Sequence, residues 1–203
     1  MKAGLIVLGA GIAGLLCSIA ISASILPYHV CAAMLCYAGF LACVICNIGI
    51  CVGKHWSTHL SIVLCDVGLL FAVATMGTGA WWGYHAWGAA WVWEPRITGM
   101  LLMTLIFLSW RISCRIFGDN LAGNRKFTAT LLVLGLPSMF FTHVAVRFFG
   151  GIHPGSIAAS GSSHVQWYCF VIVGVSELLI GIGAGLMDWR RIRQAVRMAQ
   201  DAA

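Results

Sequence analysis

A chain of 203 residues that is 61% hydrophobic and only 9% charged cannot cover its own surface in water, since soluble domains carry roughly a quarter charged residues. That excludes a water-soluble enzyme or binding domain and points to an all-α, polytopic membrane bundle, residues 1–203 forming a single integral domain. The net charge of +6 comes from basic residues in short loops and at the C-terminus, not from a patch interleaved with aromatics, so nucleic acid is not an expected partner and the charge serves membrane topology.

Taken in chain order, six apolar segments suggest transmembrane helices, roughly 4–26, 30–52, 60–79, 97–117, 127–149 and 165–187. Each is long enough to cross about 30 Å of hydrocarbon. The first follows Lys2 and is longer than a signal-peptide core, so it reads as a retained helix. The second holds Cys43 and Cys46 in a C-x-x-C spacing. In an apolar span this pair reads as packing rather than redox or zinc chemistry. His55 and His59 form an H-x-x-x-H pair before the third segment, read as a plain helix start because no third ligand accompanies them. Asp66 and Glu177 fall inside apolar segments, where ionisable groups are costly, with no partner evident. The last segment carries Gly181-Ile182-Gly183-Ala184-Gly185, a stretch suited to close helix packing.

Loop charges orient the bundle. Lys2, Lys54, Arg111, Arg115, Arg125, Lys126, Arg190, Arg191, Arg193 and Arg197 gather on one side, against Arg96 and Arg147 on the other. The positive-inside rule places the first group and both termini in the cytoplasm. The outer face then collects the turn Pro27-Tyr28-His29 and the loops 80–96 and 150–164. Five of the seven histidines fall there or close by: His29, His85, His143, His153 and His164.

The loop from Trp81 to Arg96 holds five of the nine tryptophans: Trp81, Trp82, Trp87, Trp91 and Trp93. An interfacial aromatic belt spreads such residues over many span ends and both faces; here they concentrate in one connection. Trp87 and Trp91, four apart, are expected to share a helix face. Gly83 and Gly88 leave room for a flat ligand near the backbone. The segment therefore reads as a platform for a flat, apolar, aromatic ligand.

The run Trp87-Gly88-Ala89-Ala90-Trp91-Val92-Trp93-Glu94-Pro95-Arg96-Ile97-Thr98 resembles the tryptophan-rich "WWD" signature of haem-handling membrane proteins. Within that superfamily it is most similar to the cytochrome c maturation protein C (CcmC) family, whose motif reads W-G-x-W-W-x-W-D-x-R-L-T. The resemblance covers most of the chain. It extends to Tyr28-His29-Val30 and to the stretch from Leu136-Pro137 through His143 to Ile152-His153. Two positions depart from the motif: Glu94, followed by Pro95, stands for the usual Asp, and Ala90 stands for a usual Trp.

The resemblance implies non-covalently bound haem b as transported cargo, with His29 and His153 as axial ligands of the iron. Trp82, Trp87, Trp91, Trp93, Glu94 and Arg96 would surround it. Two histidines from different connections can approach a haem from opposite faces, which neighbours on one helix cannot. Arg96 and Arg147 are the outer-face Lys/Arg cations available to haem propionates. His85 and His143 are alternative ligands. The implied partners are a membrane-anchored haem chaperone and the subunits of an ATP-binding-cassette complex, in a bacterial inner membrane. The chain has no G-x-x-x-x-G-K-[ST] run, so nucleotide use would belong to a partner. It also lacks the C-x-x-C-H of covalent haem attachment. A haem lyase of the same superfamily and a b-type membrane cytochrome are the competing expectations.

Overall fold

The structure, a computed structural model, describes residues 2–21, 24–52, 56–117, 125–153 and 167–201, and every regular element among them is a helix. In order these are α1 (Lys2–Ile21), α2 (Leu26–Cys51), α3 (Trp56–Trp87), α4 (Pro95–Phe117), α5 (Arg125–Phe149) and α6 (Trp167–Asp201). The six expected segments all lie within or across these helices, but their ends move. Hydropathy marks where hydrocarbon begins, whereas a helix continues until its backbone is capped. So α3 runs on through Trp81–Trp87, which the sequence suggested was loop, and α6 continues to Asp201. The expected turn at Pro27-Tyr28-His29 is instead the first turn of α2. Proline is tolerated there because the first-turn N–H groups have no intrahelical partner. The Leu26 N–H is met by Ser24 Oγ at 3.3 Å.

Among the described residues, five helices are long and apolar enough to cross a membrane, over Lys2–Ile19, Leu26–Gly49, Thr58–Trp87, Pro95–Ile116 and Trp167–Gln194. The sixth expected span falls on α5, where the side chains of 125–133 lie outside the described residues. Large apolar side chains such as Ile6, Leu16, Val73 and Phe140 face outward along these helices. In water such surface would drive aggregation; against lipid it is the solvated face. The chain is a multi-pass membrane protein.

The bundle is built from three pairs, α1 on α6, α2 on α3 and α4 on α5, with α2 also touching α5 and α6. Small residues set the closest approach: a Cβ on Gly183 would meet the Leu8 backbone at 2.6 Å, and one on Gly11 would meet the Ser176 carbonyl at 2.7 Å. Without a hydrophobic drive between helices in lipid, this backbone proximity supplies the packing. The core runs between α2, α3 and α4. Phe40 and Phe107 stack there at 4.0 Å with Cys36, Cys43 and Cys65 buried around them. All nine cysteines are free thiols, and Cys43 of the C-x-x-C pair is fully packed.

Asp66 does have a partner. Arg111 Nε and one terminal NH2 donate to its two carboxylate oxygens at 2.6 and 2.9 Å. Arg111, expected among the loop charges, therefore sits inside α4, at the end of the bundle opposite Arg96 and Arg147. The chain reverses between successive elements. The start of α2, the end of α3, the start of α4 and the end of α5 thus meet at one end, and the site lies there.

Candidate functional site

The tryptophan-rich segment is held by two helix termini. Gly88 ends α3 with φ 74°, and its N–H donates to the Tyr84 carbonyl at 3.0 Å. Glycine takes this left-handed cap at no steric cost. Residues 88–94 then fold back against α3, close enough that a Cβ on Gly83 would meet the Ala89 carbonyl at 3.1 Å. Glu94 starts α4: its carbonyl accepts the Thr98 N–H at 2.9 Å and its carboxylate Oε1 accepts the Ile97 N–H at 3.2 Å. With Pro95 as the first helical residue, Glu-Pro-Arg is a helix-start signature.

These two termini sort the tryptophans. Trp82 and Trp87 lie edge to face at 4.9 Å and turn inward, each 6.1 Å from the ring of His153. Trp91 joins them on the cavity wall. Trp81 and Trp93 point outward, Trp93 being 74% exposed. Trp87 and Trp91 do not share a helix face as their spacing suggested, because α3 stops at Trp87 and Trp91 lies in the connection. Trp91 packs on Trp93 instead, at 5.5 Å. The segment is thus part interfacial belt, with Trp81 and Trp93, and part cavity wall, with Trp82, Trp87 and Trp91.

His29 stands in the first turn of α2 and faces α3. Its Nδ1 lies 3.0 Å from the Thr75 carbonyl and 3.2 Å from Thr78 Oγ1. The carbonyl only accepts, and the Thr78 hydroxyl donates to the Ala74 carbonyl at 2.7 Å. Nδ1 therefore carries the proton, and the Nε2 lone pair is left for a ligand. Gly79 makes the space: a Cβ there would meet His29 Cε1 at 2.9 Å.

His153 follows α5 after the left-handed Gly150, φ 70°. Its ring centre is 6.2 Å from that of His29, the planes inclined at 51°. Burial, then the nearby Arg96 and then His29, push its imidazole down to about 4. Neutral imidazole, the metal-binding form, is therefore its state at physiological pH.

Both imidazoles border a cavity of about 620 Å³, within the size range of small-molecule sites. Trp82, Trp87, Trp91 and Arg96, all anticipated from the sequence, line it, and so do Arg147 and Ala90. Trp93 and Glu94 do not; Glu94 is buried behind His153, its Oε1 3.9 Å from His153 Nδ1. His85 is turned away, bonded through Nδ1 to the Trp81 carbonyl at 2.8 Å. The side chain of His143 and the whole of His164 and His55 lie outside the described residues. His59 rests edge-on against Trp189 at the far end. Tyr37, Met100 and Thr142 also line the cavity, beyond the residues that the sequence pointed to. Tyr37 was findable, since it lies two turns beyond His29 on the same stripe of α2.

A family model described as heme exporter protein C (CcmC) matches residues 6–201. The chain belongs to this family. Among similar proteins, a putative ccmC-like mitochondrial protein for cytochrome c biosynthesis from Marchantia polymorpha is 28% identical over 163 residues, covering 78% of this chain and 68% of that protein. Heme exporter protein C of Escherichia coli K12 is 23% identical over 138 residues, 63% of this chain and 56% of its own length. That of Rhodobacter capsulatus is 26% identical over 135 residues, 63% and 55% respectively. The match thus spans little more than half the length of these bacterial relatives.

Against the CcmC motif, the two departures have separate structural consequences. Ala90, where the motif has Trp, lies on the cavity wall, so the missing ring leaves space inside the site. Glu94, where the motif has Asp, keeps the helix cap through its longer side chain.

Proposed function

We propose that this CcmC-family membrane protein binds haem b non-covalently as cargo, between His29 and His153, and hands it on during cytochrome c maturation. It acts as a transport component and not as an enzyme. The observation that carries this is the pairing of the two imidazoles. A metal-bound imidazole nitrogen sits about 2 Å from its metal, and the ring centre about 1 Å further, so two rings sharing one iron on opposite sides stand roughly 6 Å apart. The pair here is at 6.2 Å. The aromatic wall of Trp82, Trp87 and Trp91 suits a flat conjugated ring.

By family membership and the basic-residue asymmetry, the site faces the periplasm of an inner membrane, with both termini cytoplasmic. A membrane-anchored haem chaperone takes the cargo, and ATP-binding-cassette subunits are the associated machinery. Release requires modest affinity, which a site at the bundle end provides better than one sealed at its centre.

The test is the haem content and absorption spectrum of the detergent-purified protein. Wild type is expected to show a low-spin, bis-histidine spectrum, and His29→Ala and His153→Ala each to lose that signature and most of the haem. Unchanged haem content in the double variant would refute the ligand pair.

A further inference from the structure

The cavity has a side that faces lipid. Leu26, Val30, Ala33 and Met34 of α2 line it, and Met34 is also 68% exposed. On α2, Met34 belongs to the outward stripe that continues through Leu41, Ile45 and Ile48, all exposed. These positions recur at helical spacing and form the outer face of the helix. The other flanks of α2 are occupied. Cys31 turns to α6, its thiol 3.5 Å from the Phe170 carbonyl. His29 and Phe40 turn to α3, against Thr75 and Gly68. The seam left at Met34 is the one toward α5, which α2 touches outside the three main pairs. Among the described residues, those of α1 and α6 take no part in the cavity wall. Depth decides what lies outside this opening. The apolar span of α2 begins at Leu26, so Met34 stands about 12 Å into it at 1.5 Å per residue. The outer half of the hydrocarbon is about 15 Å deep. An opening at Met34 therefore meets acyl chains, whereas Ala90 and Arg147, exposed at the end of the bundle, mark a separate mouth toward water.

We infer that haem reaches the site sideways, out of the outer leaflet of the bilayer, through the seam between α2 and α5 at Met34. This rests on the haem assignment proposed above. Haem has a flat, largely apolar ring that concentrates in hydrocarbon, and entry from lipid spares that ring a passage through water. The seam suits an edge-on plate. Its α2 side is made of apolar side chains, one of them the small Ala33. Methionine at the rim is unbranched, with freely turning bonds, and moves aside at little cost. From Met34, His29 lies about a turn and a half along α2 toward the outer end, so a ring entering there slides directly between the two imidazoles. Met34 is thus a rim residue that sets the rate of loading and leaves the bound state alone.

The experiment reconstitutes the full chain in phosphatidylcholine vesicles, adds haemin, and follows the growth of the bis-histidine absorption with time and its final amplitude. Met34→Trp, which lays a large ring across the seam, is expected to slow loading about tenfold and reach the wild-type amplitude. Met34→Ala should load at least as fast as wild type. Leu41→Trp, on the same lipid-facing stripe but deeper than the cavity, should behave as wild type. Should Met34→Trp not fold, Met34→Phe carries the same test with a smaller ring. Wild-type loading in the Met34→Trp or Met34→Phe protein, equal slowing by Leu41→Trp, slower loading in Met34→Ala, or a final amplitude that falls in step with the rate would each overturn the lipid-side entry. If wild type gains no haem absorption at any haemin concentration, the haem assignment itself falls, an outcome distinct from loading that ignores Met34.

Discussion

Glu94 Oε1 stands 3.9 Å from His153 Nδ1 while accepting the Ile97 N–H that starts α4. At that distance no hydrogen bond joins the carboxylate to the imidazole. Glu94 Oε2, His153 Nδ1 and the Trp91 indole N–H are all buried without a hydrogen-bond partner. Unsatisfied buried groups are costly. A small shift of 153 toward 94 would pair two of them, and metal-bound histidines commonly donate their second nitrogen to a carboxylate. Glu94 thus ties a helix cap to one of the two proposed haem ligands. Glu94→Ala should lower the melting temperature by the few degrees that about 1 kcal/mol of cap energy represents, and should also lower haem retention. Glu94→Gln should keep much of the cap but weaken retention, because a neutral amide is a poorer acceptor for His153. Thermal unfolding and haem content, measured on the same preparations, separate the two effects. Equal retention in Glu94→Gln and wild type would remove Glu94 from ligand positioning.

Gly79 controls His29. Even one methyl group at 79 would press on His29 Cε1 at 2.9 Å and Nδ1 at 3.3 Å. The ring is held by the Thr75 carbonyl, so it must give up that bond or turn its Nε2 away. Overpacking of this kind costs about 1–3 kcal/mol. Gly79→Ala is expected to cut haem affinity roughly tenfold and shift the spectrum toward a high-spin form. The double variant with His29→Ala should show no further loss. A Gly79→Ala protein with wild-type affinity would mean that α2 yields easily and does not position the ring.

The helical frame was legible in the sequence because apolar length is local information. Each expected segment overlaps a helix, and Arg96 and Arg147 do lie at the opposite end from Arg111, Arg115 and the α6 arginines. The site was legible only in part. His29, His153, Trp82, Trp87, Trp91 and Arg96 were identifiable from residue type and resemblance, and all border one cavity. The direction each tryptophan faces was not, because it depends on where α3 ends, and Gly88 places that end seven residues past Trp81. Nor could hydropathy show Asp66 meeting Arg111, since that contact joins helices far apart in sequence.

Haem binding should be insensitive to pH over an unusually wide range. An ordinary histidine, titrating near 6.5, would lose its ligand lone pair to a proton just below neutrality. His153 is pushed down to about 4, first by burial, then by the nearby Arg96 and then His29. Its neutral form therefore survives to well below pH 6, and ligation through it should hold to about pH 5 and fail as pH approaches 4. Stability runs with the same sign. The unfolded chain takes up a proton on this residue below about 6.5 while the folded chain does not, so the group's contribution is complete above that pH and declines as pH falls. An absorption titration of the haem-loaded protein checks this. A midpoint near 6.5 would show that His153 is exposed or not a ligand.

The Asp66–Arg111 pair makes a prediction away from the site. Both residues lie on membrane-spanning helices, and the fork is bidentate at 2.6 and 2.9 Å. Breaking such a pair by removing one partner leaves the other charge poorly solvated, which costs about 3 kcal/mol. Replacing both with apolar residues of similar size removes the charge and its penalty together. Arg111→Met alone and Asp66→Leu alone should therefore each lower thermal stability in detergent, and the double variant should recover most of the loss. Haem affinity of the double variant should stay within a factor of two of wild type, since the pair sits at the far end of α3 and α4 from the cavity. Recovery of stability with loss of haem would mean instead that tension between α3 and α4 at this pair is transmitted to the tryptophan wall.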